Sequence, residues 1–236
     1  MANRLIASLP RRERPRFIAL CEPVELAFGD VLCVADARYE SAYFPLRGSI
    51  SLVAEIGGRP AIEMGLIGNE GMLGATLALG IDAAPLRAVV HSPGSALKIG
   101  VEQLRGALRD HPALARALSS YLYVLVAQLA QSAACTRFHA VDERLARWLL
   151  MTHDRVHADH FRLTHQHLAD HLGVRRSAVT IAAGALHDRE IIRYSRGAIR
   201  VLARDGLEAA ACECYDAMRD DYAQHFAPLR PGAARR

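Results

Sequence analysis

The strongest constraint on the fold is a change of residue pattern near Val101. Between Val24 and Ile99, short runs of β-branched and aromatic residues are separated by turn-forming residues about every ten positions, which predicts many short antiparallel strands. After Val101 helix formers predominate, and Ala113–Phe138 contains neither glycine nor proline. We therefore expect an α+β protein whose β-domain comes first, with ATLALG at 75–80 as a short helix between strands.

Four leucines on the long predicted helix have the spacing of a coiled-coil seam. Leu118, Leu122, Leu125 and Leu129 repeat at intervals of four, three and four residues. A helix buried against its own domain is the alternative. Because the helix lies between two different residue patterns, we predict that it pairs with the same helix of a second copy.

The segment after Phe138 has the element order of a winged helix-turn-helix. The stretches LTHQHLADHLGV and RRSAVTIAAGALHDRE predict two short helices joined at Gly173, and IIRYSRGAIRVL predicts a hairpin that turns at Arg196-Gly197. A final helical stretch carries one apolar stripe, so we expect it to pack back onto this domain. The stripe consists of Leu207, Ala211, Cys214, Met218 and Tyr222.

The second short helix opens with groups that can read DNA. N-terminal positions of a recognition helix meet base edges in the major groove, where arginine matches the two acceptors of guanine. Arg175 and Arg176 place positive charge at a helix N-terminus, where the helix dipole disfavours it, and a phosphate or base partner would explain this placement. The alternative is that the two arginines are only solvated surface charges. Val179, Ala182, Ala183 and Leu186 are expected to face inward. The predicted DNA contacts are Arg175, Arg176, Ser177, Thr180, Thr164, His165, Arg196 and Arg200.

Charge and cysteine content narrow the function classes. The net charge of +4 is unevenly placed, because Gly173–Arg204 holds seven arginines against Asp188 and Glu190. That segment is where a polyanion is expected to bind.

The five cysteines are scattered and form no C-x-x-C pair, which favours reduced thiols. No uninterrupted apolar run follows the first arginines, so we expect a cytoplasmic protein without a membrane partner.

The order and spacing of these segments resemble the Crp/Fnr family of bacterial transcription regulators. LTHQHLADHLGVRRSAVTIAAGAL is similar to the family's helix-turn-helix signature, and YFPLRGSISLVAEIGGRPAIEMGLIGNEGMLG to its cyclic-nucleotide-binding β-roll. The resemblance implies a jelly-roll-like sensory domain over 1–108, a dimerisation helix over 109–138 and a winged helix-turn-helix over 139–236. It further implies a homodimer on a palindromic operator, contacts with RNA polymerase, and Arg176 as the guanine-reading arginine, with Ser177 where a glutamate is usual.

The implied effector site departs from the family pattern. Relatives that bind cyclic AMP present a Gly-Glu carboxylate to the ribose and an Arg-Ser pair to the phosphate, but the corresponding positions here are Gly74, Ala75, and the region of Ala84 and Pro85. Alanine and proline side chains donate nothing to a phosphate. Arg87 is a candidate replacement cation, with a surface strand position as the alternative. We expect no cyclic AMP binding of the usual kind and no cofactor, and we leave an unidentified small-molecule effector open.

Metal binding is not predicted. Cys21 and Cys33 are too few for the N-terminal iron–sulfur cluster of other family members. Cys212 and Cys214 are expected to lie on one helix and to point to different faces, as buried inert thiols. His167 and His171 are one helical turn apart and could hold a transition metal, although polar helix faces commonly carry histidine. They belong to a group with His153, His157, His160 and His165, for which pH-dependent phosphate contact is another interpretation.

The sequence thus favours a DNA-binding regulator over two alternatives. One is an effector-sensing or scaffold module whose helix-turn-helix contacts only proteins. The other is an enzyme, against which stands the lack of a G-x-S-x-G, P-loop or G-x-G-x-x-G motif in its expected context.

Overall fold

The computed structural model describes residues 2–55, 57, 61–156, 158–195 and 197–226. The helices are α1 (Arg4–Ser8), α2 (Arg14–Ile18), α3 (Val101–Asp110), α4 (Pro112–Phe138), α5 (Val141–Val156), α6 (His165–Leu172), α7 (Arg176–Asp188), α8 (Arg204–Ala210) and α9 (Cys214–Phe226). The strands are β1 (Glu22–Leu26), β2 (Val31–Cys33), β3 (Ser41–Ala54), β4 (Ile62–Ile67), β5 (Arg87–Gly100), β6 (His160–Arg162), β7 (Ile192–Ser195) and β8 (Ala198–Val201).

The N-terminal part is an antiparallel β-structure around two long strands, β3 and β5. The strands β1, β5, β3 and β4 are neighbours in that order, and β2 also pairs with β5. Gly48 has a left-handed φ of +78°, and a Cβ there would overlap the carbonyl groups of Ser92 and Pro93. Only glycine therefore permits this close approach of β3 and β5. The predicted α+β class is confirmed, and the predicted short helix is a 3₁₀ helix, Ala75–Leu79.

Two large apolar cores form. The first lies inside the β-structure, where the rings of Phe17 and Phe44 meet edge to face with centroids 5.4 Å apart, and it extends to Leu114 and Tyr121 on α4. The second lies among α5, α6, α7 and the small β6–β8–β7 sheet. Each core excludes its own apolar surface from water, which supplies the main driving force for folding that part of the chain.

The long helix α4 has its leucine stripe turned partly inward. Leu118 is fully buried in the first core, and Leu122 and Leu125 pack at the edge of that core. The predicted seam role of Leu118 is therefore wrong, because its side chain is already enclosed by its own protomer. The exposed apolar stripe lies one position farther round the helix and includes Tyr123 and Val126, which are 55% and 63% exposed.

The C-terminal stretch differs from the single predicted helix. It forms α8 and α9 with a break at 211–213, and α9 lies along α4, where Tyr222 packs at the edge of the first core. The expectation that the stripe packs back onto the helix-turn-helix domain is confirmed for Leu207 and Met218, which are buried in the second core, and is wrong for Tyr222. Cys212 lies in the break and Cys214 begins α9, so the two thiols do not project from one helix; both lie beside Cys135 of α4.

Candidate nucleic-acid interface

A capped turn sets the angle between α6 and α7. The hydroxyl of Thr164 accepts a hydrogen bond from the backbone N–H of His167 (3.1 Å), which caps α6. Gly173 ends α6 in a left-handed conformation (φ +64°), which glycine adopts without steric cost. The four residues expected to face inward from α7 are all buried: Val179, Ala182, Ala183 and Leu186. The predicted helix, turn and helix are confirmed.

The packing of α7 turns its N-terminal polar residues to solvent. Arg175, Arg176, Ser177 and Thr180 are all exposed, and Arg175 immediately precedes the first helical residue. The Thr180 hydroxyl donates to the carbonyl of Arg176 at 3.1 Å, which fixes its rotamer. The structure therefore brings these four predicted contacts together on one surface.

His165 is partly buried and packs between α7 and the wing. Its Nδ1 is 3.0 Å from the Thr180 hydroxyl, and its ring stacks on Tyr194 of β7 with centroids 4.1 Å apart. Its Nε2 is buried and has no hydrogen-bond partner among the described residues. Burial and the charge of Arg176 lower the pKa of His165, which favours the neutral ring. The ring thus supports α7 against the wing, and a DNA contact by His165 stays a prediction.

Sequence reasoning missed Ile181 on the recognition helix. Its side chain is 74% exposed and lies beside Thr180 on the outward face of α7. An apolar side chain at this place can contact the methyl group of thymine in the major groove. The signal was present in the sequence, because an isoleucine out of phase with the inward positions must point outward.

The wing is a short hairpin rich in arginine. Strands β7 and β8 pair from Ile192↔Val201 to Ser195↔Ala198, and Gly197 has a positive φ of +76°, which confirms the predicted turn. Arg193 and Arg200 are cross-strand neighbours and both are exposed. Arg196, a predicted contact, lies outside the described residues. The exposed arginines give this edge the positive charge that phosphate contacts require.

Comparison with known proteins agrees with this geometry. The sequence profile of the Crp-like helix-turn-helix domain matches residues 143–210. Several solved structures resemble the chain. The c-di-GMP responsive global regulator CLP of Xanthomonas campestris has a TM-score of 0.66 at 17% identity, covering 81% of this chain and 99% of that one. FixK2 of Bradyrhizobium japonicum has a TM-score of 0.67 at 16% identity, covering 81% and 98%. No curated protein matches the chain in sequence.

The chain has the fold of a Crp/Fnr-type transcription regulator. A CRP/FNR-family transcriptional regulator of Thermus thermophilus adds a third structure of the same kind, with a TM-score of 0.63 at 22% identity over 80% of this chain and 98% of that one. The suspected resemblance to the Crp/Fnr family is thereby confirmed at the level of the fold and of the helix-turn-helix domain.

Within this Crp/Fnr fold, the residues expected at a cyclic-nucleotide pocket do not meet. Gly74 lies near Ala42 at the start of β3, where an added Cβ would come within 3.3 Å of the Ala42 side chain, and Ala75 is buried in the apolar core. Arg87 pairs with Val53 at the other end of β3, and its guanidinium binds the carboxylate of Glu55 at 2.6 Å. The prediction of one pocket lined by Gly74, Ala75 and Arg87 is therefore wrong, because Gly74 and Arg87 lie near opposite ends of β3.

The helix-turn-helix domain instead meets the β-domain through polar and aromatic contacts. The indole N–H of Trp148 donates to the Glu63 carboxylate at 2.7 Å, and His171 Nδ1 lies 3.3 Å from the same carboxylate. The ring of His91 contacts both Trp148 and His171 edge to face, with centroids 5.2 and 5.0 Å away. Beside this contact lie two cavities of about 390 and 640 Å³, which share Phe28, His91, Leu163 and His167.

Helix α4 is also long and apolar enough to span a membrane by length and composition. The criterion is weak for a single helix, because a core helix satisfies it equally well. In this chain the inner face of α4, including Leu114 and Leu118, is enclosed by the first core. Burial accounts for the apolar residues of that face, while Tyr123 and Val126 on the outward face are exposed in the protomer.

Proposed function

We propose that the chain is a cytoplasmic, homodimeric regulator that binds palindromic double-stranded DNA through α7. The observation that carries the proposal is the exposed group of Arg175, Arg176, Ser177 and Thr180 at the front of a helix whose opposite face is fully packed. The helix dipole disfavours two guanidinium groups at a helix N-terminus. An anionic or acceptor-rich partner such as DNA would offset that unfavourable interaction.

The proposed roles within the interface differ by position. Arg175, Arg176, Ser177 and Thr180 face base edges, as the first turns of a recognition helix do. Thr164, at the start of α6, and Arg200, on the wing, are suited to phosphate contacts that fix the orientation of the domain on the duplex.

The proposed dimer uses the outward face of α4. Tyr123, Val126 and Ala130 follow one another at intervals of three and four residues and are all exposed in the protomer, which is the spacing of a helix-pairing seam. Leu122, Leu125 and Leu129 are half-buried and flank that face. Pairing two α4 helices would remove these apolar groups from water and set two α7 helices at a fixed spacing on DNA.

The proposed sensing step takes place at the cavities between the two domains. A small molecule lodged beside His91 and His167 would touch the β-domain and the helix-turn-helix domain together. Such joint contact is what allows one ligand to change the affinity for another. We also propose RNA polymerase as a partner, which the resemblance to the Crp/Fnr family implies.

The experiment is a binding titration of the full chain with duplexes enriched from a random DNA pool. We expect affinity to fall steeply as salt rises from about 50 to 200 mM, because each phosphate contact releases counterions. The double variant Arg175→Ala/Arg176→Ala should lose sequence-specific binding with an unchanged fold. The matched control is Arg11→Ala/Arg12→Ala, which removes two adjacent exposed arginines of the β-domain and the same charge.

Two outcomes would overturn the proposal. Specific affinity that survives the Arg175/Arg176 change unaltered would show that α7 is not the reading element. Absence of any salt-dependent retention on duplex DNA would favour the scaffold alternative, in which the helix-turn-helix contacts only proteins.

A further inference from the structure

Three cysteines and one histidine meet where α4 ends. Cys135 belongs to the last turns of α4, and His139 follows directly after that helix. Cys212 and Cys214 come from the junction between α8 and α9. All three cysteines are buried, and the four potential ligand atoms lie within 4.8 Å of one another. This Cys₃His cluster belongs to neither of the two large apolar cores.

The distances inside the cluster match the edges of a zinc tetrahedron. Cys135 Sγ and Cys212 Sγ are 3.6 Å apart, and Cys214 Sγ lies 3.5 Å from His139 Nδ1. With Zn–S of about 2.3 Å and Zn–N of about 2.0–2.1 Å, tetrahedral geometry separates two sulfurs by about 3.8 Å and a sulfur from a nitrogen by about 3.5 Å. These two separations thus have ligand spacing, and all four ligand atoms lie within 4.8 Å of one another.

Two neighbouring side chains form hydrogen bonds with the potential ligands, as residues around a metal centre commonly do. His139 directs Nδ1 to the thiols, and its Nε2 is 3.1 Å from the carboxylate of Glu213. A carboxylate on the far nitrogen fixes the imidazole tautomer and raises its basicity toward a metal. The amide of Gln131 donates to Cys214 Sγ at 3.0 Å, a contact that would also stabilise a thiolate ligand at this position.

The charge balance also suits a divalent cation. Three thiolates and one neutral imidazole around Zn²⁺ leave one net negative charge. The buried guanidinium of Arg147 acts electrostatically on Cys135, so a positive charge is already in place beside the cluster. Softness of the donors selects a thiophilic metal over magnesium or calcium, which prefer oxygen ligands.

We propose that Cys135, His139, Cys212 and Cys214 bind one zinc ion in a closed tetrahedral site. Four protein ligands leave no open coordination position, so the site is structural and not hydrolytic.

The site joins the two ends of the DNA-binding domain. The Crp-like helix-turn-helix match, residues 143–210, begins just after His139 and ends just before Cys212. A metal bound there ties the point where the chain enters this domain to the point where it leaves, and it holds both against the end of the α4 helix. Zinc occupancy would thus fix the position of the helix-turn-helix domain relative to α4.

The first measurement is the zinc content of the full chain, purified from zinc-supplemented medium without chelators. We expect one zinc ion per protomer by plasma mass spectrometry. The double variant Cys135→Ser/Cys214→Ser should lose it. The matched control Cys21→Ser/Cys33→Ser removes two half-buried thiols of the β-domain and should retain full zinc. His91→Gln should also retain it, which separates this site from the convergence of Glu63, His91 and His171.

A second measurement does not depend on the folding of any variant. Cobalt exchanged into the wild-type chain should show thiolate-to-cobalt charge transfer and the intense red-region absorption of a tetrahedral ion. A mercurial that titrates thiols should release bound zinc in step with cysteine modification.

The proposal fails if the wild-type chain carries no zinc, if zinc persists in Cys135→Ser/Cys214→Ser, or if His91→Gln abolishes it. An octahedral cobalt spectrum would also overturn it. So would a stoichiometric disulfide between Cys135 and Cys212 in chain purified under reducing conditions, because that bond would consume two of the ligands.

Discussion

Glu70 and Arg155 form a buried ion pair that connects the β-domain to α5. The guanidinium Nε lies 2.7 Å from Glu70 Oε1, and both side chains are only 8% exposed. The same carboxylate oxygen accepts the backbone N–H of Gly68, and the guanidinium donates to the carbonyl of Met151. Because both charges have these additional partners, desolvation is offset and the two domains are held at a defined contact.

Neutralising one member of this pair should be strongly destabilising. Glu70→Gln leaves the Arg155 charge buried without its counterion, so we expect the free energy of unfolding to fall by about 3–5 kcal/mol. The double variant Glu70→Met/Arg155→Met should be far less affected, because no buried charge remains. Urea denaturation measures both. Asp216→Gln, which breaks the exposed pair with Arg219, is the control and should cost less than about 1 kcal/mol. Equal losses at the two sites would contradict the role of burial.

A charge on the exposed stripe of α4 should dissociate the proposed dimer. Val126 is 63% exposed in the protomer, so Val126→Glu should leave the protomer fold intact while placing a carboxylate in the seam. We expect a monomer in sedimentation velocity and an operator affinity lower by about 100-fold or more, because two half-sites no longer bind as one unit. Leu79→Glu, at a similarly exposed position on the 3₁₀ helix (62%), should remain dimeric. A dimeric Val126→Glu chain would place the seam elsewhere.

The sequence was sufficient for features set by local pattern. The spacing of turn residues predicted an antiparallel β-domain, and the position of Gly173 predicted the turn between α6 and α7. The inward residues of α7 followed from helical periodicity, because the opposite face carries the polar group. These features depend on neighbours within a few residues, and such neighbours are visible in one chain.

Features set by long-range packing were missed. Leu118 has seam spacing, but the β-domain occupies that side of α4, and periodicity cannot tell which partner covers a stripe. Cys212 and Cys214 were assigned to one helix, yet a break before Cys214 turns both toward Cys135, 77 residues earlier than Cys212. Gly74 and Arg87 were grouped from a family pattern, whereas they lie near opposite ends of β3. In each case the deciding contact lies far away in the sequence.

Ile181 should contribute to affinity without contributing to salt dependence. An apolar contact with a thymine methyl releases no counterions, so Ile181→Ala should weaken binding to the preferred duplex by about tenfold and leave the salt slope unchanged. By contrast, Arg200→Ala on the wing should reduce the slope by about one. Fluorescence anisotropy at several salt concentrations measures both quantities. An Ile181→Ala slope that changes as much as that of Arg200→Ala would exclude an apolar role.

The buried ring of His91 should make the contact between the domains sensitive to acid. Burial lowers the pKa of His91 to about 4, while the Glu63 carboxylate opposes this shift and the rings of His171 and His167 add to it. Trp148 covers another side of the ring. The neutral form therefore fits this site, and a proton placed on His91 would have to be buried with it.

The sign of the effect follows from where the protons bind. The unfolded histidine titrates near 6.5 and the folded one near 4, so between these values the unfolded chain binds more protons and stability falls as the pH falls. Above that window, His91 makes no pH-dependent change to the free energy of unfolding. Once the pH has fallen through the whole window, protonation of His91 has lowered that free energy by about 3 kcal/mol. Carboxylates titrate in the same range, so the useful quantity is the difference between wild type and His91→Gln in urea denaturation across the window. The wild-type chain should lose more stability on acidification than His91→Gln, and parallel pH profiles would show that His91 takes no part.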